Sequence, residues 1–241
     1  MKMNEELEYL LIKGNLGAIR ELEAQGYRLQ NGRELMDARC QDGQEELQKD
    51  IFYVADGNVF YRDLHRGALS WAHTNGENNL ILPPKYLERA LRESCYNGLF
   101  RPNTSDESWD AIYHHSSERF ALFDLGLVWG DDKMSYMSII TNGYNALNSE
   151  QKRAAAAVGL TAKNVAYLSQ KGIKETRLCL PNPEYLARVF EKEGNNPFWR
   201  ASWFGTFYSD SSFNLRGPTI YDINLLRGVR ERTGDERGEV R

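Results

Sequence analysis

Three groups of residues have the types and spacing that chemistry needs. His114 and His115 lie upstream of Asp124, Asp131 and Asp132, and together with His65 or His73 they would supply ligands for a metal ion or a general base. Neighbouring histidines on a strand point to opposite faces and make a poor pair for one ion. No HExxH, Gly-x-Ser-x-Gly, Walker loop or GxGxxG accompanies them. Neither metal nor cofactor is expected, and no catalytic residue is assigned. Cys40, Cys95 and Cys179 are odd in number, widely spaced and without a CxxC pair, so they read as reduced thiols and not as a zinc or disulfide framework.

The third group is Ala155, Gly159, Leu160, Thr161 and Val165, which fits the helix-turn-helix template of small residue, turn glycine and β-branched packing residue. Lys152, Arg153, Lys163, Lys171 and Lys174 add local charge. In that case Thr161, Ala162, Lys163 and Tyr167 would face a major groove. Two capped helices joined by a glycine turn also make an ordinary structural corner. With 30 basic and 34 acidic side chains the net charge is -4, which gives no general attraction to nucleic acid. A DNA-binding regulator using residues 151–172 is therefore the second choice of function, and nucleic acid is not the favoured partner.

The elements that must position these groups divide the 241 residues into regions. Residues 1–50 carry Leu7, Leu10, Leu11, Leu16, Ile19, Leu22, Leu35, Met36 and Leu47 at helical spacings and predict a helical N-terminal region. From residue 51 the texture becomes that of a second domain reaching residue 233, followed by a charged tail over 234–241. Within it, residues 51–63 predict a hairpin turning at Asp56-Gly57. Pro83-Pro84 open a helix that runs to Cys95, and a second hairpin turns at Gly130–Lys133, with its acidic pair serving the turn. Helices follow over 148–172, with Ser149 and Thr161 as caps, and again from Pro183 to Glu193 after a short strand at Arg177–Leu180. The overall class is α+β. No apolar run is long enough to span a membrane, and Met1 to Glu6 lack the basic and apolar regions of a signal peptide, so classical secretion is not expected.

The stretch after Trp199 has a different composition. Arg200-Ala201-Ser202-Trp203, Phe207, Ser211, Phe213 and Leu226-Arg227-Gly228-Val229-Arg230 frame a segment of aromatic, small and polar residues. Aromatic side chains give rigid contact area and Ser, Gly, Asn and Asp give adaptable hydrogen bonds, which is the composition of a binding surface.

Those framing residues resemble the archaeal variable proteins of diversity-generating retroelements, the AvpA-like group. The resemblance is strongest over residues 182–230 and extends back towards Met134. It implies a C-type lectin fold, here a lectin-like domain over 51–233 behind the helical N-terminal region, with a variable region at about 200–230. It also implies a non-enzymatic protein that displays hypervariable side chains to a protein or cell-surface ligand, with cell-surface or virion association. The implied contact set is Phe204, Gly205, Thr206, Tyr208, Ser209, Asp210, Ser212, Asn214, Leu215, Arg216, Thr219, Tyr221, Asp222, Ile223 and Asn224. The implied scaffold is Arg200 to Trp203, Phe207, Phe213 and Leu226 to Arg230, with Trp203 and Arg227 buried. Adenine-directed mutagenesis of AAC or AAT codons cannot produce Lys, Glu, Gln, Met or Trp. None of these occurs between Phe204 and Arg230, the longest such stretch in the chain. Glu-Pro-Asn, Gln-Pro-Asp and Trp-Asn-Asp, the calcium and sugar signatures of lectin-fold carbohydrate binders, are absent, so calcium-dependent sugar binding is not expected.

Overall fold

The computed structural model describes residues 7–14, 18–48, 52–63, 67–74, 118–131, 133–194, 197–204 and 224–231. In chain order the elements are β1 (Leu7–Gly14), α1 (Ile19–Ala24), β2 (Arg28–Leu29), α2 (Gly32–Arg39), β3 (Phe52–Asp63), β4 (Ala68–Thr74), β5 (Glu118–Ala121), β6 (Val128–Trp129) and β7 (Met134–Ile140). They continue with α3 (Ser149–Ala157), α4 (Ala162–Gln170), β8 (Glu175–Pro181), α5 (Pro183–Glu193), β9 (Phe198–Phe204) and β10 (Asn224–Glu231).

The larger sheet runs β1-β10-β3-β4-β5, with β2 also pairing with β10 and β9 with β3. β3 is its centre. It pairs antiparallel with β9 on one edge, while the other edge takes β10 in parallel at Phe52 and Tyr53 and then β4 antiparallel from Gly57 to Asp63. Register stacks Phe198, Phe60, Trp71 and Phe120 side by side across β9, β3, β4 and β5. All four are buried, and the Trp71 and Phe120 rings lie 4.9 Å apart between centroids. This aromatic row is the floor on which the helices pack.

The smaller sheet, β6-β7-β8, is antiparallel. On β7 the side chains alternate, with Ser135, Met137 and Ile139 buried, as a sheet with one covered face requires. Met137, Ile139, Leu178 and Leu180 join Phe60, Trp71 and Phe120 in one core together with Ala154, Val158, Val165 and Leu168 of the helical pair. Leu35 and Met36 of α2 belong to the same core.

Local sequence signals explain most helix ends. Asn182 accepts from the Glu184 and Tyr185 amides ahead of Pro183, which starts α5. Thr161 caps α4 as expected. Asn148, not Ser149, caps α3, in a reciprocal pair with Gln151. At Gly130–Lys133 the Asp131 carboxylate accepts the Lys133 and Met134 amides, which is turn chemistry.

Two expectations need correction. Residues 7–14 are a strand and not a helix, because β10 takes β1 as its antiparallel partner over all eight positions and tertiary pairing overrides the helical spacing of Leu7, Leu10 and Leu11. Helices do form at α1 and α2. Residues 52–63 are one continuous strand and not a hairpin, since Gly57 is paired with both Thr74 and Ala201. The Asp-Gly pair marks a register shift between Tyr53 and Gly57, where the buried Asp56 carboxylate accepts the Gly32 amide 3.0 Å away. The helix expected from Pro83 lies outside the described residues.

Trp71 is fully buried in the aromatic row, whereas Trp129 is 61% exposed on the two-residue strand β6. Trp71→Ala is expected to cost about 3–5 kcal/mol of unfolding free energy and Trp129→Ala within about 0.5 kcal/mol of none, read by urea denaturation of the two variants.

Candidate ligand-display site

β9 leaves the sheet at Phe204, which is the register partner of Phe52. β10 enters it at Asn224, opposite Gly14, and its next residue, Leu225, is the partner of Phe52 on the other edge. The segment 205–223 therefore starts and ends on either side of one residue of the central strand, two strand spacings or about 10 Å apart. Phe52 is buried, and the fully buried Arg39 of α2 places its guanidinium 5.1 Å from the Phe52 ring centroid. The roots of the segment thus stand on a packed, charge-stacked base.

Each residue of Leu226–Arg230 has a structural duty. Leu226 and Val229 are buried. Arg227, 8% exposed, donates to Gln30 Oε1 at 3.1 Å and lies 3.9 Å from the Tyr9 ring centroid. Burial pulls its pKa below the ordinary arginine value. Gly228 is required by closeness: a Cβ there would come 2.7 Å from Leu22 Cδ2 and 2.8 Å from Tyr27 Cβ. Arg230 donates twice to Glu8 Oε2, at 2.8 and 3.0 Å, and stacks 4.6 Å from the Tyr27 ring centroid.

Of the expected contact set, Phe204 and Asn224 sit at the two strand ends. Gly205, Thr206, Tyr208, Ser209, Asp210, Ser212, Asn214, Leu215, Arg216, Thr219, Tyr221, Asp222 and Ile223 lie outside the described residues, as do Phe207 and Phe213. Arg200, Ala201, Ser202 and Trp203 form β9, with Arg200 in register with Asn58 and Trp203 with Tyr53. Of the two residues expected to be buried, Arg227 is buried, and the side chain of Trp203 lies outside what the structure describes.

The other candidate groups do not assemble into sites. His65, His114, His115 and Asp132 lie outside the described residues. Asp124 is exposed and Asp131 serves its turn, and among the described residues no three His, Cys, Asp or Glu side chains converge on a point. His73 is fully buried, with Nδ1 3.1 Å from Asn58 Oδ1, which also accepts from Trp71 Nε1 at 2.9 Å, and Nε2 3.5 Å from Asp56 Oδ2. Sequence reasoning missed this network. Its signal was present in the polar Asp56 and Asn58 inside an apolar run and in the alternation Trp71-Ala72-His73 one strand away. Sealed in the sheet, the network holds β3 to β4 and offers nothing to a substrate.

Of the expected helix-turn-helix face, Ala162 and Lys163 are exposed and Thr161 and Tyr167 half-buried, while the turn and the other side of α4 are packed. Gly159, at φ +84°, would bring a Cβ to 2.9 Å from Arg33 Cα, so α2 lies directly on the turn. Asn164 is buried and donates to Asp37 Oδ1 and to the Gly159 carbonyl, both at 2.8 Å. Asp42 takes Lys171 at 2.8 Å and the Tyr167 hydroxyl. The pair α3–α4 is thus docked on α2 through Gly159 and Asn164.

No protein-family model matches the sequence, and a search of curated proteins finds no significant match. Among solved structures, one described as "Accommodation of massive sequence variation in Nanoarchaeota by the C-type lectin fold" superposes with a TM-score of 0.52. The match covers 96% of this chain and 100% of that chain at 13% sequence identity. The chain is thus a distant structural relative of that archaeal protein and has the C-type lectin fold within its mixed α+β architecture.

Gly228→Ala is expected to lose about 1–3 kcal/mol of stability through overpacking against Leu22 and Tyr27, measured as a lowered urea midpoint with unchanged slope. The Cys40 thiol is pushed up to about 12, first by burial and then by Asp37. It is expected to resist a maleimide at pH 8 in the native protein and to react once the chain is unfolded, as peptide mapping of the labelled cysteine would show.

Proposed function

We propose that this chain is a non-enzymatic ligand-binding protein that displays the segment between β9 and β10 on a fixed C-type lectin-like scaffold. The carrying observation is that both ends of the segment are held beside Phe52, in the buried centre of the larger sheet. A segment anchored in this way can change its side chains without moving the strands that carry it. The composition from Phe204 to Asn224, aromatic and small-polar and free of Lys, Glu, Gln, Met and Trp, supports diversification by a retroelement. The ligand would be a protein or cell-surface molecule met at a cell surface or on a virion. Such a surface recognises shape through aromatic anchors with adaptable hydrogen bonds around them. We further propose 51–233 as the lectin-like domain, with 1–50 joined to it through β1, β2 and α2 and 234–241 as a tail.

Two libraries test the display. One randomises Tyr208, Ser209, Asp210, Tyr221, Asp222 and Asn224; the other randomises the buried Leu226, Gly228 and Val229. Both are sorted for protease resistance. Display positions are expected to cost only tenths of a kcal/mol each and scaffold positions about 2–5, so most of the first library survives and most of the second is lost. Collapse of the first library would make the segment ordinary core and end the display assignment. For diversification, adenine-confined differences are expected between the coding sequence of 204–224 and a nearby near-copy in the genome. Differences spread over all four bases would remove the retroelement from the proposal.

A further inference from the structure

Among the described residues β1 is the outermost strand of the larger sheet. Natural proteins blunt such edges with proline, charge or a bulge. β1 pairs with β10 without a register shift, contains no proline, and runs Tyr9-Leu10-Leu11-Ile12 without a charge through its middle. Tyr9 is 41% and Leu11 52% exposed.

The direction of the peptide groups on this edge follows from one hydrogen bond. Gln30 N donates to the Arg227 carbonyl at 2.9 Å, so the main-chain groups of Arg227, and of every second residue from it along β10, face β2 and β3. Those of Leu226, Gly228 and Arg230 then face β1, opposite Ile12, Leu10 and Glu8. Because polar groups alternate sides along a strand, the N–H and C=O of Leu7, Tyr9, Leu11 and Lys13 point away from β10, to the side where no strand pairs among the described residues.

We infer that this edge is a docking surface for a second copy of the same chain, added antiparallel through β1 about a two-fold axis at Leu10. A two-fold axis perpendicular to the sheet keeps the same face upward in both copies, so only residues of equal parity can oppose each other. The register centred on Leu10 sets Leu7 against Lys13 and Tyr9 against Leu11 of the second copy, and the reverse. Every outward-pointing group of the strand is then used, in about eight main-chain hydrogen bonds. The exposed Tyr9 and Leu11 cover each other on one face. Glu8 is already paired with Arg230, so no unpaired carboxylate is carried into the contact. A contact one strand wide is small, which makes the dimer a weak and concentration-dependent one. Since Gly14 is opposite Asn224, the dimer would carry two display segments and could gain avidity on a repetitive ligand. The pairing itself does not depend on the display function.

Sedimentation velocity on the full chain from about 1 to about 500 µM is expected to show a monomer passing to a dimer. Over the same range, amide exchange at Tyr9 and Leu11 should slow at least about tenfold while Leu10 and Ile12 stay protected throughout. Leu11→Pro removes an outward N–H and no bond to β10, so it should abolish the dimer and leave the melting temperature of the monomer unchanged. Leu11→Lys, which keeps the backbone intact, should weaken the dimer at least about tenfold. A chain that stays monomeric at the highest concentration overturns the inference, and so does a dimer that survives both substitutions.

Discussion

A strand buried on both faces cannot leave its main-chain groups unpaired, and much of this molecule is arranged around meeting that demand for β3. One edge is supplied by β9. The other is shared, first by β10 and then by β4, and the change of partner leaves residues 54–56 without a ladder on that side. The N-terminal chain fills the gap: Ala55 N donates to the Gln30 carbonyl at 2.9 Å, and Asp56 accepts from Gly32. Gln30 also reaches Arg227 through both its amide and its side chain. The N-terminus, the C-terminal strand and the roots of the display segment are therefore fastened at one place, and none could be removed without orphaning buried groups on the others.

This fastening divides the chain energetically. Closing a segment between two strands costs an entropy that grows only with the logarithm of its length, about 0.6 kcal/mol for each doubling, and in the proposed display a changed side chain would cost tenths of a kcal/mol. Changes in the scaffold act through packing. Gly228 has no room for one carbon, and Trp71 is enclosed by an aromatic row while donating to Asn58. Under the proposed function the fold would stay constant while the segment changes, because the two sets of residues would draw on different physical terms.

Elements governed by neighbouring residues were legible in the sequence. Asn182 and Pro183 start a helix through their own backbone chemistry, and Asp131 makes its turn locally. Elements governed by distant pairing were not. β1 has helical spacing and becomes a strand because β10, more than two hundred positions away, requires an edge partner. Asp56-Gly57 has the chemistry of a hairpin turn and becomes a bulge because Gly57 is flanked by strands on both sides. The parallel pairing of β10 with β3 has no local signature at all, yet it brings the second root of the display segment to Phe52.

The arginines near those roots show why the base holds one register. Each guanidinium stacks on a ring, Arg39 on Phe52, Arg227 on Tyr9 and Arg230 on Tyr27, and the two on β10 donate to Gln30 and Glu8. A planar, delocalised cation suits such sites better than an ammonium, since it tolerates loss of water on its faces while bonding in its plane. Arg227 and Arg230 are three residues apart and point to opposite faces of the sheet. A slip of β10 by one position would send each to the wrong face, leaving the buried Arg227 and the half-buried Arg230 without their rings and acceptors and displacing the buried Leu226 and Val229. An apolar strand alone would resist that slip less, because hydrophobic contacts are nondirectional. The position of Asn224 is thus set by stacked, hydrogen-bonded arginines on both faces of the strand that follows.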